Sequence, residues 1–450
     1  MLPSRYTAVI HPSGPLGGYV QAPPSKNYTT RLLLGAALAE GRSLIRRPAT
    51  NDDARALVAC LRALGAQIEE TGPDLTVRGF ASRPRNPGRI NPGNAGAVLR
   101  LLLAVACLVE GEVEFVTDHT DSLGRRPNED LLAALRQLGA DAAGQGSDGR
   151  LPIRIAGGPQ RVRGGAVKVS GARSSQFLSA LLFLAPHLTG DTTIEVTGAD
   201  ATAPPVLVSR PLIDQTLDAM RRFGLRCDPD PSGFRFLVPG GQVGRAGDHA
   251  VNGDWPSAAA LMAAVAVAGG MSTIHGLQDD AQGERRAERL LAAMGCTFVR
   301  PEEHALVIHS KGNLQAADLD GDLATDAVLA LIGAACLADG TSRFSNIGNL
   351  RLKECDRIRE PLEELARLGV RARHGEDWIE IDGNPDGYDG GVDVGSRGDH
   401  RVAQMLAIVG LRCRNGLRIT RAESVSKSYP DFFADLQRMG VKLDLVPASD

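Results

Sequence analysis

The chain has 450 residues, 43% hydrophobic, 23% charged and 4% aromatic, with a formal net charge of −3. Such a balance fits a globular protein of two or three domains with substantial cores. The near-neutral charge and scarce aromatics exclude a surface that tracks phosphates or stacks on bases, so no nucleic-acid partner is expected.

The start, MLPSRYTAVIHP, lacks a charged segment followed by an apolar one, and no uncharged apolar stretch is long enough to span a bilayer. No membrane partner and a cytoplasmic location are therefore expected. Seven cysteines, odd in number and without a CxxC pair, argue against a disulfide framework and a zinc site.

In chain order, YTAVIHP (6–12) and GGYVQAPP (17–24) read as strands. Six apolar runs with helical spacing follow, each closing on a glycine: Gly41, Gly111, Gly190, Gly270, Gly340 and Gly416. Downstream of each lies an amphipathic run closing on a second glycine: Gly65, Gly139, Gly224, Gly295, Gly369 and Gly440. This is a sixfold repeat with units of roughly 70 to 85 residues, a length suited to a βαβ-type module. Three units precede the glycine-rich connection PGGQVGRAGDHAVNGD (239–254) and three follow it, so two similar α/β domains are expected, with a hinge near residue 245.

Polar and cationic residues collect before the helices. Lys26, Asn27 and Arg31 open the first; Asn94 and Gly96 precede the second; Ser174, Ser175 and Gln176 start the third. Asp254, Asp326 and the Asp399–Arg401 stretch stand before the later ones, and Arg126, Ser209, Glu284, Lys353, Glu354, Arg357 and Lys427 before the amphipathic runs. A helix start carries the positive end of the macrodipole and would favour carboxylates, so cations there point to a polyanionic small molecule. Ser174, Asp326 and Asp399 also read as plain N-caps, and His400 as a structural histidine. Phosphate loops of the GxGxxG and GxxxxGK[ST] kinds are absent.

PSKNYTTR (24–31), PGNAG (92–96), DSLGRRP (121–127), SSQFLSALL (174–182), LKECDRIRE (352–360), DHR (399–401) and KSYPDFF (427–433) together resemble the 5-enolpyruvylshikimate-3-phosphate synthase family over nearly the whole chain. The resemblance implies the enolpyruvyl transferase fold, with two domains of three βαβαββ repeats around a cleft. Their expected extents are 23–247, and 1–22 with 248–450. It implies transfer of the enolpyruvyl group of phosphoenolpyruvate to the 5-hydroxyl of shikimate 3-phosphate, with no metal or organic cofactor, by a monomer whose domains close on their substrates.

By the same resemblance, Asp326, Glu354 and Lys26 are catalytic. Shikimate 3-phosphate falls to Lys26, Asn27, Arg31, Ser174, Ser175, Gln176, Ser209, Asp326, Asn349 and Lys353. Phosphoenolpyruvate falls to Lys26, Asn94, Gly96, Arg126, Gln176, Arg357, Arg401 and Lys427. Pro24, Asn27, Ala97, Leu101 and Leu212 depart from the family pattern and bear on substrate affinity and on inhibition by glyphosate. Asn27, with Asp121 at a loop position where the sister family carries cysteine, leaves UDP-N-acetylglucosamine enolpyruvyl transferase as the alternative enzyme. A repeat protein that kept the fold without catalysis is the alternative outside enzymes.

Overall fold

The computed structural model describes residues 5–200 and 202–448. The chain divides into two compact units, Pro24–Val251 and, discontinuous in sequence, Met1–Pro23 with Asn252–Asp450.

Each unit holds three core helices. They are Lys26–Leu38, Gly96–Ala106 and Ser175–Leu184 in one unit, and Trp255–Ala268, Val328–Ala335 and His400–Gly410 in the other. Nearly every residue in these helices is buried. A helix apolar on all sides has no face to offer water, so it can only sit at the centre. Small residues let the backbones approach: a Cβ added to Gly333 would stand 3.1 Å from the Met405 carbonyl oxygen of a neighbouring helix. The amphipathic helices, such as Asp52–Ala63 with Leu57 and Leu61 turned inward, cover the outside.

Strands complete the repeats. Arg89–Ile90 runs parallel to Gly111–Phe115 after the crossover through Gly96–Ala106. Gly111–Phe115 pairs antiparallel with Arg150–Gly157, whose hairpin partner is Asp141–Gln145. The result is a βαβαββ module with a four-stranded sheet, and each unit contains three such sheets. Along Arg150–Gly157, Leu151, Ile153 and Ile155 are buried while Arg150, Pro152 and Arg154 face solvent, the alternation of a sheet packed on one side.

Three sheets are closed from a distance. Asp248–Ala250 runs parallel to Arg42–Arg46 and supplies the strand that precedes the first core helix elsewhere. That pairing carries the unit to Val251, a few residues past the expected boundary at 247. In the other unit, Tyr19–Gln21 runs parallel to Gly270–His275, and Tyr6–Ile10 lies between Leu417–Thr420 and Leu443–Pro447, antiparallel to both.

All twelve repeat-closing glycines have positive φ, between +71° and +109°. The six that close the amphipathic runs stand just past a helix end and turn the chain through the left-handed region, which costs a side-chain-bearing residue about 1 kcal/mol or more, and the six after the core helices stand at or just before the start of the next strand. The spacing visible in the sequence is therefore a spacing of element boundaries.

Candidate active site

In Pro24–Val251 the first core helix is capped by Ser25, whose hydroxyl accepts the Tyr28 N–H at 3.4 Å. Lys26 pairs with Asp53 at 3.3 Å, a carboxylate in the first turn of the next helix. One turn further, Arg31 is fully buried beside Asn27. Its Nε donates to Thr216 Oγ1 at 2.9 Å, Nη1 to the Asn27 carbonyl at 3.1 Å and Nη2 to the Leu212 carbonyl at 3.0 Å. Burial lowers its pKa to about 10.

At the start of Ser175–Leu184, Ser174 is the N-cap and accepts the Gln176 N–H at 3.2 Å. This start is held from outside by Arg100, a residue the sequence reading passed over. Arg100 Nη1 donates to Ser174 Oγ at 3.1 Å and to Gln176 Oε1 at 2.8 Å, while Nε reaches Asn128 Oδ1 at 3.3 Å and Nη2 the Pro127 carbonyl at 3.2 Å. Its guanidinium lies 4.9 Å from the centroid of the Phe177 ring. A lone charge inside the apolar run LRLLLAVACLVEG was the signal available. A buried arginine needs several acceptors, and these come from two helix starts and the loop after Arg126.

Ser175 is buried, and Ser209 is buried with φ +52°. Left-handed backbone at a non-glycine residue is strain of the kind that gathers at functional sites. The helix Gly96–Ala106 begins at Ala95, which provides no side-chain cap, so Asn94 and Gly96 flank backbone N–H groups suited to an anion. The buried Arg126 guanidinium packs directly against Gly96. Asp121 is mostly exposed and pairs with Arg125 at 2.9 Å.

In the unit containing Asn252–Asp450, the centre is Arg357, whose side chain is 2% exposed. Its Nε and Nη2 donate to the two Asp399 oxygens at 2.7 and 3.1 Å, Nη2 also to Glu354 Oε2 at 2.9 Å, and Nη1 to Asp326 Oδ1 at 3.4 Å. Burial alone would lower its pKa, but Asp399, Glu354 and Asp326 outweigh that and raise it. Lys427, at the end of the 3-10 helix Ala422–Lys427, pairs with the other Glu354 oxygen at 3.2 Å.

Asp399 does two things at once. It caps His400–Gly410 by accepting the Arg401 N–H at 2.8 Å, and it grips Arg357. Asp326 is not a cap, because the N-cap of Val328–Ala335 is Ala327. Arg401 is buried, donates from Nη1 to Gln404 at 3.2 Å, and its enclosed Nε has no acceptor among the described residues. A buried donor without a partner costs about 1–3 kcal/mol, which an anion would offset. Asn349 lies in the 3-10 helix Gly348–Leu352, and Lys353 terminates it.

Within each unit, then, the residues singled out from sequence gather at the starts of core helices and in the turns beside them. Pro24–Val251 contains Lys26, Arg126 and the serine start, and the unit with Asn252–Asp450 contains carboxylates fixed by Arg357. Among the described residues no group of three or more histidine, cysteine or acidic side chains could hold a metal ion. No helix among them is long and apolar enough to cross a membrane.

Known proteins resemble the chain in sequence and in fold. The family profile of EPSP synthase (3-phosphoshikimate 1-carboxyvinyltransferase) matches residues 10–436. The chain is 44% identical over 449 residues to the 3-phosphoshikimate 1-carboxyvinyltransferase of Deinococcus radiodurans, covering 100% of this chain and 99% of the relative. It is 39% identical over 436 residues to that of Methanopyrus kandleri, covering 95% and 97%. The solved EPSP synthase of Acinetobacter baumannii superimposes with a TM-score of 0.78 at 25% identity, covering 98% of this chain and 99% of that one. With the repeat architecture, the motifs and the full-length match in accord, the chain belongs to the EPSP synthase family.

Proposed function

We propose that the residues gathered at these helix starts carry the family's reaction in the roles the motifs suggest. The chain transfers the 1-carboxyvinyl (enolpyruvyl) group of phosphoenolpyruvate to the 5-hydroxyl of shikimate 3-phosphate and releases phosphate. The hydroxyl oxygen bonds to C2 of phosphoenolpyruvate as C3 is protonated, giving a tetrahedral intermediate. The C2–O bond to phosphate then breaks and a C3 proton leaves, restoring the vinyl group.

Asp326 is the base that takes the hydroxyl proton, and its carboxylate is oriented by Arg357. Glu354 exchanges the proton at C3; its contact with Lys427 gives it a cation as donor or counter-charge. Lys26 is the third catalytic group, and Arg126, Arg357, Arg401 and Lys427 offset the charge of phosphate and carboxylate. Asn94, Gly96 and Gln176 join them on phosphoenolpyruvate. Lys26, Asn27, Arg31, Ser174, Ser175, Gln176, Ser209, Asp326, Asn349 and Lys353 bind shikimate 3-phosphate. In the same reading the two units are the expected domains of three repeats each, and the enzyme is a cytoplasmic monomer.

The observation that carries these roles is the buried Arg357 hub, where one guanidinium fixes both Asp326 and Glu354. Such preorganisation costs stability and is kept where chemistry needs it. The test is phosphate release from phosphoenolpyruvate with shikimate 3-phosphate or UDP-N-acetylglucosamine as acceptor. Release only with the first is expected. Release only with the second would transfer the assignment to the sister enzyme, as Asn27 and Asp121 would suggest.

A further inference from the structure

Glu284 is a buried carboxyl beside Asp326 that the roles above leave unused. It lies in the 3-10 helix Gly283–Arg285, is 5% exposed, and its Oε1 accepts the Asp326 backbone N–H at 3.3 Å. A buried carboxyl held only by backbone donors, its own N–H and that of Asp326, has too little hydrogen bonding to be comfortable as an anion. The charged groups bearing on it make that worse. Asp326 faces it from the turn after Gly321–Ala324, and Asp254 from the start of Trp255–Ala268, both acids.

The nearby cations are engaged elsewhere. Arg357 is spread over Asp399, Glu354 and Asp326, Arg285 pairs with Asp279, and Arg286 donates to the Gly283 carbonyl at 3.5 Å. Glu288, on the helix that follows, is paired with Arg300.

We propose that Glu284 is a positioning residue for Asp326: by accepting its amide N–H and facing it inside the protein, Glu284 sets the orientation and the proton affinity of that carboxylate. Burial, with Asp326 as the second cause, pushes the Glu284 carboxyl up to about 7. It is therefore largely protonated in mildly acidic solution and ionises as pH rises through neutrality. An ionised Glu284 adds a negative charge beside Asp326, raises its affinity for a proton and makes it the stronger base. Turnover should climb across that range for a reason that lies outside the substrates.

The inference rests on Asp326 as base, so Glu284→Gln and Asp326→Asn are measured together. Glutamine keeps an acceptor oxygen for the Asp326 amide and removes the ionisation. Glu284→Gln is expected to keep both KM values within about twofold, lower kcat about tenfold at pH 8, and lose the rise of kcat through pH 7 expected of the unmodified enzyme. Glu284→Asp should restore part of that rise, which a purely structural side chain would not do.

A Glu284→Gln profile that superimposes on the unmodified one would overturn the inference while leaving an inactive Asp326→Asn, and so the base, in place. Full turnover by Asp326→Asn would remove the base assignment and this inference with it. Circular dichroism of each variant separates either result from a failure to fold.

Discussion

Arg126 Nη1 lies 2.5 Å from the point where a Cβ on Gly96 would stand. The glycine at the start of Gly96–Ala106 thus makes room for a guanidinium of this chain, and any approach of its backbone to a ligand happens beside that cation. Gly96→Ala should displace Arg126 by about an ångström. A misplacement of that size costs up to about 100-fold in rate or affinity. The expected result is a KM for phosphoenolpyruvate raised about 10- to 100-fold, with the melting temperature little changed. Steady-state kinetics with each substrate varied in turn checks it.

Arg357→Met should be the most damaging single change in its unit. It leaves Asp399, Glu354 and Asp326 without the guanidinium that joins them. Breaking a buried pair from one side costs about 3–5 kcal/mol. Turnover should vanish, and denaturant titration should show the loss of stability. Arg357→Lys should recover part of the stability but little activity, because an ammonium cannot span the same three carboxylates.

Arg100→Lys keeps the charge and loses the fork that joins Ser174, Gln176, Asn128 and Pro127. Hydrogen bonds to charged groups contribute about 1.5–3 kcal/mol each, so losing even one through misalignment implies about a tenfold fall in kcat/KM. The fall should appear for both substrates, since the helix start it holds carries Ser174, assigned to shikimate 3-phosphate, and Gln176, assigned to both.

His187 should govern the acid stability of Pro24–Val251. Its Nδ1 is 2.9 Å from Ser82 Oγ, its enclosed Nε2 has no partner among the described residues, and burial lowers its pKa to about 4. The unfolded chain, with an ordinary histidine near 6.5, binds the proton first as pH falls. Stability is therefore intact above pH 6.5 and declines between 6.5 and 4, by no more than about 3 kcal/mol. His187→Gln should flatten that decline in urea titrations at pH 7 and pH 4.5.

Much of this architecture was readable before any coordinates. The twelve glycines mark element boundaries, helix ends or strand starts, because only glycine takes their backbone conformation cheaply, and apolar runs without a polar face mark core helices. The strands were harder. Arg89–Ile90, Asp228–Pro229 and Leu319–Asp320 have two residues each, too few to show alternation. The pairing of Asp248–Ala250 with Arg42–Arg46 joins segments some two hundred positions apart, beyond the reach of any local pattern.

At the site, motifs named Arg357, Glu354 and Asp326 one at a time. That a single guanidinium binds both carboxylates is a fact of folding. Lys26 with Asp53 is a similar case, since their neighbourhood depends on how two helices pack. Arg100 stood out only as an anomaly of charge, and Glu284 had no signal beyond its place before a helix.

The closure of the last sheet by Tyr6–Ile10 has a bearing on biosynthesis. Both neighbours of that strand lie beyond residue 416, so it leaves the ribosome before either of them and pairs only after both have followed. Pro24–Val251 draws every strand of its three sheets from its own length and can be complete while the rest is still being translated. Through all that time the amino-terminal segment must stay unpaired. Its five residues are a short edge to leave exposed, and their brevity protects the nascent chain from sticking to its neighbours.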